Sequence, residues 1–176
     1  HDDDYISPDF FKMVDFAIKY KSSVIGNGIV LPRVNDYFTF KKIEQLSKIN
    51  RDKLLNSYFC SKKINGKFLP ANPACSVFKI DVAKNWVNVI KVLLNFKFVS
   101  NYFFYKNIGQ DLLIYLIALT IQKEIYYYKD YSCQFSSHKD SMSVNFGSHN
   151  LGVGYWLAKK IYSRLSGNIF SYNLKN

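Results

Sequence analysis

The chain has 176 residues and a mass of 20.5 kDa, enough for one domain with a sizeable core but not comfortably for two. Apolar residues make up 48% of it, which excludes wholesale disorder. Its 24 lysines and arginines exceed its 13 aspartates and glutamates, and the net charge of +11 favours phosphate-bearing ligands, nucleic acid or an anionic membrane surface as partners.

The cysteines and the hydropathy bound the cellular setting. Cys60, Cys75 and Cys133 show no CxxC spacing and are odd in number, so neither a zinc knuckle nor a full disulfide framework is expected. A reducing, cytoplasmic setting is therefore predicted. The longest apolar run, residues 112–119, is much shorter than the roughly 20 residues that a membrane-spanning helix needs. The chain is not expected to cross a bilayer by itself.

The first residues combine an acidic run with a helix start. After the sequence HDDDYI, Ser7 is a good N-cap, Pro8 suits the first turn and Asp9 complements the helix dipole. This pattern predicts a helix over residues 8–20. Aspartates one residue apart in a turn can converge on Mg²⁺ or Mn²⁺. An acidic run by itself is more often a solvated terminus, and the motif alone leaves both interpretations open.

The following residues alternate between strand and helix patterns. Residues 23–31 predict a strand with a bulge or turn near Gly26 and Gly28. The polar and basic stretch over residues 35–70 predicts a mobile insertion, with weak helical patterns over 40–49 and 53–59. A short strand is predicted over residues 76–80 and a helix over 82–96.

The segment over residues 107–128 is the most informative part of the middle of the chain. Gly109 supplies a turn, Asp111 stands at a helix start, and residues 112–121 are apolar on every side, which is typical of a fully buried helix. A strand is predicted over residues 124–128, then the polar loop FSSHKDSMSV and a basic amphipathic helix over 151–165. Alternating strands and helices predict an α/β fold.

Three motifs in a fixed order carry a resemblance to a known family. HDDDY at the start, GQD at the buried helix and FSSHKDSMS after the next strand resemble the second half of family 2 nucleotide-sugar glycosyltransferases with the GT-A fold. The stretch FLPANPACSVFKI resembles the loop and strand before their catalytic helix. The resemblance implies a GT-A-like mixed sheet flanked by helices, lacking the N-terminal half that binds the nucleotide. Residues 1–150 would be the acceptor-side catalytic part, and 151–176 a C-terminal basic helix and tail.

The same resemblance assigns roles to the acidic residues. Asp2 and Asp4 would be ligands of Mn²⁺ or Mg²⁺, and Asp3 between them would face the nucleotide ribose or solvent. Asp111 would be the general base of an inverting sugar transfer. Without the other motifs, Asp111 is as readily a first-turn aspartate that bonds backbone N–H groups. A helix start keeps such a carboxylate ionised and burial opposes this, so the sequence leaves the direction of its pKa shift open.

The polar loop FSSHKDSMSV, referred to below as the histidine loop, would contact the diphosphate. His138, Lys139 and Ser141 are the candidates for this contact by resemblance. The sequence has Ser136 where the family often has arginine, and Lys139 offers a point charge in place of a bidentate guanidinium. A loop histidine is otherwise an ordinary surface residue, and Ser141 and Ser143 otherwise make turn hydrogen bonds.

The resemblance also implies partners and a location. The expected enzyme moves a sugar from a nucleotide-sugar donor to a glycan or lipid-linked acceptor, in bacterial surface polysaccharide synthesis at the cytoplasmic face. The helix with Trp156, Lys159, Lys160 and Arg164 could contact an anionic membrane, or pack Trp156 inward and solvate its lysines. The alternatives are an inactive remnant or a basic module that binds RNA or single-stranded nucleic acid. No RNP-type aromatic motif is present, so no nucleic acid partner is expected.

Overall fold

The computed structural model describes residues 5–32, 46–64, 66, 69, 72–106, 108–137 and 147–166. The strands are β1 (Tyr5–Ile6), β2 (Val24–Pro32), β3 (Leu46–Asn50) and β4 (Glu124–Ser137). The α-helices are α1 (Asp9–Tyr20), α2 (Arg51–Cys60), α3 (Ile80–Leu93), α4 (Lys97–Ser100), α5 (Gln110–Ile121) and α6 (Gly147–Leu165). A 3-10 turn covers Pro73–Cys75, and a π-helical turn, Asn101–Tyr105, continues α4.

The long strand β4 organises a four-stranded mixed sheet. β2 runs parallel to it along one edge, from Val24 beside Tyr126 to Pro32 beside Ser137. On the other edge β3 pairs antiparallel with the first residues of β4, and β1 pairs antiparallel with Cys133 and Gln134. The chain is therefore mixed α/β, as the alternating pattern predicts.

The glycine signal in β2 is confirmed as a bulge. The register with β4 shifts between Ile25 and Asn27 and again between Asn27 and Gly28. A Cβ added at Gly26 would lie 2.1 Å from the carbonyl oxygen of Cys75, and one at Gly28 would lie 2.2 Å from the ring of Phe135. Both positions exclude a side chain because neighbouring elements come this close to the strand.

The helix predictions hold over most of the chain. α1 begins at Asp9 with Pro8 in the N-cap position, one residue later than the cap predicted at Ser7. The Oγ of Ser7 still accepts the N–H of Asp9 at 3.1 Å. The helices predicted over 53–59, 82–96 and 112–121 correspond to α2, α3 and α5. The C-terminal helix, predicted from residue 151, begins at Gly147.

Three predictions between residues 35 and 80 are wrong. The sequence pattern predicts a helix over residues 40–49, but residues 46–49 belong to strand β3, because Ile49 is buried against β4. Residues 40–45 lie outside the described part of the chain. The segment 46–60 is also no mobile insertion, since Leu54 and Leu55 are buried in the core. Instead of the strand predicted over 76–80, the sheet gains only an isolated bridge between Val77 and Val24.

The core forms around α5. Every residue over 112–119 is buried, and α2, α3 and α6 contribute Leu54, Val82 and Tyr162 to the same cluster. Such all-round burial explains why α5 has no polar face. Within the described residues, no helix combines the length and hydropathy needed to span a membrane.

Candidate active site

Of the residues to which the sequence assigns a site role, the structure describes Asp111. The metal candidates Asp2 and Asp4 and the neighbouring Asp3 lie outside the described residues. So do the candidates of the histidine loop, namely His138, Lys139 and Ser141. The site is therefore built from Asp111 outward and from the described chain segments that lead to the other motifs.

The start of α5 is held from two sides. Gly109, just before the helix, has a φ of 97°, and a Cβ there would lie 2.3 Å from the carbonyl oxygen of Gly154 in α6. On another side, the indole N–H of Trp86 donates to the carbonyl oxygen of Gln110 at 3.2 Å. This close packing fixes the first turn, and with it the position of Asp111.

Burial decides the electrostatics of Asp111. Loss of water around its partly buried carboxyl group raises the pKa to about 6. Burial therefore outweighs the helix N-terminus, whose partial positive charge stabilises the ionised form. The carboxylate makes no hydrogen bond or ion pair within the described residues, and α5 lacks a side-chain cap. Asp111 thus does not have the capping role that is the ordinary alternative for it.

Two phenols lie near this carboxylate. The negative charge of Asp111 contributes to raising the pKa of Tyr115 and of Tyr155, although desolvation by burial is the larger cause for both. Tyr115 follows Asp111 by one helical turn, so both project from the same face of α5. This face of the helix therefore holds one isolated acid and the hydroxyl of Tyr115.

Tyr115 connects α5 to the turn before α3. Its hydroxyl donates to the carbonyl oxygen of Asn72 at 2.7 Å and lies 2.9 Å from the Oγ of Ser76. Asn72 in turn accepts the N–H of Ala74 through its side chain at 3.0 Å, which starts the 3-10 turn. The hydroxyl of a fully buried tyrosine needs such partners, because an unpaired one is costly in the core.

The same turn is anchored to β4. The Oγ of Ser132 donates to the carbonyl oxygen of Cys75 at 2.7 Å. The Sγ of Cys133 lies 2.9 Å from the carbonyl oxygen of Ala74. Cys133 pairs with Ile6 in β1. A continuous set of contacts therefore runs from Asp111 and Tyr115, through the 3-10 turn, to the place where β1 joins the sheet.

The segments that lead to the two other motifs lie at one end of the sheet. Tyr5 of β1 pairs with Gln134 of β4, and the two strands are antiparallel. The chain therefore enters β1 at the same end of the sheet at which it leaves β4. Tyr5 is the residue after the acidic run, and Ser137, the last residue of β4, is followed by the histidine loop.

The basic helix α6 is integrated into the core. Leu157, Ala158 and Tyr162 are buried, whereas Trp156 is 41% exposed, so of the two placements that the sequence leaves open, the one with Trp156 packed inward does not occur. The exposed set on this helix also includes Lys160 and Arg164. Lys159 is half-buried with its Nζ 5.8 Å from the ring centre of Phe59, and burial lowers its pKa.

Sequence reasoning missed most of the polar residues around Asp111. Sequence patterns give no role to Asn72 or Ser76, and Tyr115 lies within the run over residues 112–121 that they describe as apolar. A signal for Tyr115 exists, because a tyrosine within an otherwise apolar helix needs a partner for its hydroxyl. The identity of that partner depends on the 3-10 turn, which local sequence does not place beside α5.

No metal centre lies within the described residues, which contain no group of three or more histidines, cysteines, aspartates or glutamates close enough to hold an ion. Neither a protein-family model, nor a curated protein, nor a solved structure matches the chain.

Proposed function

We propose that the chain is the acceptor-side part of an inverting, metal-dependent glycosyltransferase with a family 2-like GT-A fold. It would move a sugar from a nucleoside diphosphate donor to a glycan or lipid-linked acceptor. The observation that carries this proposal is Asp111, a partly buried carboxylate on a closely packed helix start, without a partner in the described structure and with a pKa of about 6. Perturbed acids in such positions are enriched at catalytic sites.

The reaction needs a base for the hydroxyl of the acceptor. Asp111 would take this proton as the hydroxyl oxygen attacks the anomeric carbon from the face opposite the donor diphosphate. The bond from that carbon to the diphosphate then breaks, its electron pair leaves with the diphosphate, and the configuration inverts. A pKa near 6 suits this step, since the carboxylate is mainly ionised at neutral pH yet more basic than an ordinary aspartate.

The donor side of the proposal rests on the resemblance. Asp2 and Asp4 would hold Mn²⁺ or Mg²⁺, a countercharge for the departing diphosphate. Asp3, His138, Lys139 and Ser141 would contact the nucleotide. The pairing of Tyr5 with Gln134 supports this arrangement, because the described segments next to both motifs lie at the same end of the sheet.

A thermal unfolding assay tests the proposal without knowledge of the sugar. The full-length gene product is titrated with Mn²⁺ in the presence of uridine, guanosine or cytidine diphosphate, and stabilisation is expected only when metal and one nucleotide are both present. Asp4→Asn should remove this stabilisation. Asp15→Asn, an exposed aspartate on α1, is the matched control and should retain it.

The assay also separates the proposal from its rivals. Asp111→Asn should abolish sugar transfer and keep the stabilisation by metal and nucleotide, since it acts on the acceptor. Loss of both would make Asp111 structural. Binding of RNA that weakens with salt and ignores metal would favour the nucleic acid module instead. No stabilisation by any nucleotide, with or without metal, would contradict the transferase assignment.

A further inference from the structure

The corner between α3 and α4 exposes an unusual amount of apolar surface. Four large apolar side chains within seven residues are between 49% and 61% exposed, namely Val92, Leu94, Phe96 and Phe98. The opposite side of the same segment packs against the core through Leu93, Val99 and Tyr102. The exposed set is therefore a second apolar face, separate from the one that folding buries, and clustered exposed apolar residues mark interaction surfaces.

The backbone of this corner is ordered by hydrogen bonds. The N–H of Asn95 donates to the carbonyl oxygen of Val92 at 3.3 Å, and that of Phe96 to Leu93 at 3.0 Å. The N–H of Ser100 donates to the carbonyl oxygen of Phe96 at 2.9 Å and so starts the next helix. The apolar side chains are thus presented by a formed turn whose backbone groups already have partners.

Charge along the chain segment that forms the corner has a single sign. The sequence from residue 82 to residue 110 contains no aspartate or glutamate, while it contains Lys84, Lys91, Lys97 and Lys106. Lys91 and Lys97 are exposed directly beside the apolar set. Lysines are depleted in the cores of protein interfaces, whereas basic residues beside exposed apolar and aromatic side chains are typical of segments that lie in a membrane surface.

An open hollow of about 830 Å³ adjoins the same corner. Apolar and polar groups are mixed in its lining, which consists of Leu94, Asn95, Lys97, Phe98, Ser100 and Asn101. A lysine, two amides and a hydroxyl can bind phosphate oxygens, while the leucine and phenylalanine match an acyl chain. The lining therefore complements an amphiphile with an anionic headgroup.

We propose that the α3–α4 corner inserts into the surface of an anionic lipid membrane. Val92, Leu94, Phe96 and Phe98 enter the boundary between headgroups and acyl chains, and Lys91 and Lys97 bind the lipid phosphates. This contact does not depend on the proposed transferase activity. It also differs from the contact that the sequence suggests for the basic C-terminal helix.

Vesicle binding tests the proposal directly. Vesicles of equal parts phosphatidylglycerol and phosphatidylcholine should sediment the protein, and pure phosphatidylcholine vesicles should do so far less. Phe96→Ser combined with Phe98→Ser should weaken binding roughly tenfold or more, because buried aromatic area is lost. Lys91→Gln combined with Lys97→Gln should weaken it several-fold and reduce its salt dependence.

Matched variants on α1 control for non-specific binding of exposed apolar side chains to vesicles. Phe11 is 69% exposed and Ile18 is also exposed, on a helix in which Asp9 and Asp15 balance the charges of Lys12 and Lys19. Phe11→Ser combined with Ile18→Ser should leave vesicle binding unchanged. In addition, tryptophan fluorescence of Phe96→Trp should shift to the blue on adding anionic vesicles, and that of Phe11→Trp should not.

Three results would overturn the proposal. The first is equal binding to neutral and anionic vesicles, and the second is equal loss of binding in the α1 and corner variants. The third is self-association that disappears in the Phe96 and Phe98 variant, measured by sedimentation velocity, in a protein that binds no vesicles. That last result would assign the apolar corner to a second copy of the chain.

Discussion

Asp111 and Tyr115 lie one turn apart on the same face of α5, and only the tyrosine has hydrogen-bond partners in the described structure. Its hydroxyl joins the helix to Asn72 and Ser76, whereas the carboxylate is isolated and its pKa is raised to about 6. We therefore expect Tyr115 to stabilise the fold and the ionised carboxylate of Asp111 to destabilise it. This contrast allows the two to be tested separately.

Replacing Asp111 should stabilise the protein at neutral pH. The pKa in the folded state is about 6, above the usual 3.8, so the folded protein binds more protons than the unfolded chain between these values. Stability should therefore fall as pH rises from about 4 to about 6, by up to about 3 kcal/mol. Asp111→Asn removes this loss, and urea unfolding at pH 4 and pH 7.5 should show a gain only at the higher pH.

The control for this prediction is Asp52, which occupies the first turn of α2 and is exposed. Asp52→Asn should slightly destabilise the protein at neutral pH, because it removes a favourable interaction with the helix dipole. A destabilised Asp111→Asn at pH 7.5 would indicate that the carboxylate has a stabilising partner.

Sugar transfer, if Asp111 is the base, should depend on its ionisation. The rate should be constant above about pH 7 and fall as pH decreases through about 6, because the protonated acid cannot accept a proton. The measurement is the initial rate of nucleoside diphosphate release with saturating donor. A rate that stays constant down to pH 4.5 would exclude Asp111 as the base.

Removing the hydroxyl of Tyr115 should destabilise the fold. Tyr115→Phe leaves the carbonyl oxygen of Asn72 and the hydroxyl of Ser76 without this partner in a buried region, at a cost of about 1–2 kcal/mol. Tyr20→Phe is the matched control, since Tyr20 is exposed and its ring contacts survive the change. The midpoints of urea unfolding are compared for the two variants. Equal midpoints for Tyr115→Phe and Tyr20→Phe would show that the Tyr115 hydroxyl has no structural role.

The contact between α5 and α6 predicts opposite effects at two glycines. Gly109→Ala should cost several kcal/mol, because φ is 97° and the new Cβ would lie 2.3 Å from the carbonyl oxygen of Gly154. Gly152→Ala, in α6 with nothing within 4 Å of its added Cβ, should stabilise by about 0.5–1 kcal/mol. Thermal unfolding measures the stability of both variants. Similar melting temperatures for Gly109→Ala and Gly152→Ala would contradict the close approach at Gly109.

Sequence patterns predict the helices well because their signals are local. Ser7 at the start of α1 and the continuous apolar run of α5 each determine an element without reference to the rest of the chain. Ile49 shows where this fails. Its segment has a weak helical pattern, yet pairing with β4 turns residues 46–50 into a strand, so tertiary contacts override local preference.

The candidate site is predictable only in part for the same reason. The position of Asp111 at a helix start follows from GQD and the apolar run after it. The direction of its pKa shift does not, because burial and the helix dipole oppose each other and only packing decides between them. The link from Tyr115 to β4 joins residues far apart in sequence, which no local pattern contains.

The proposed function requires that a metal ion bound by Asp2 and Asp4 lies close to both the start of α5 and the end of β4. Paramagnetic broadening by Mn²⁺ in NMR spectra, with nucleoside diphosphate present, measures this directly. Bound Mn²⁺ should broaden the amide signals of Ile6, Gln134 and Asp111 and leave that of Phe96 sharp, and Asp4→Asn should remove the effect. Broadening at Ile6 and Gln134 without any at Asp111 would contradict the claim.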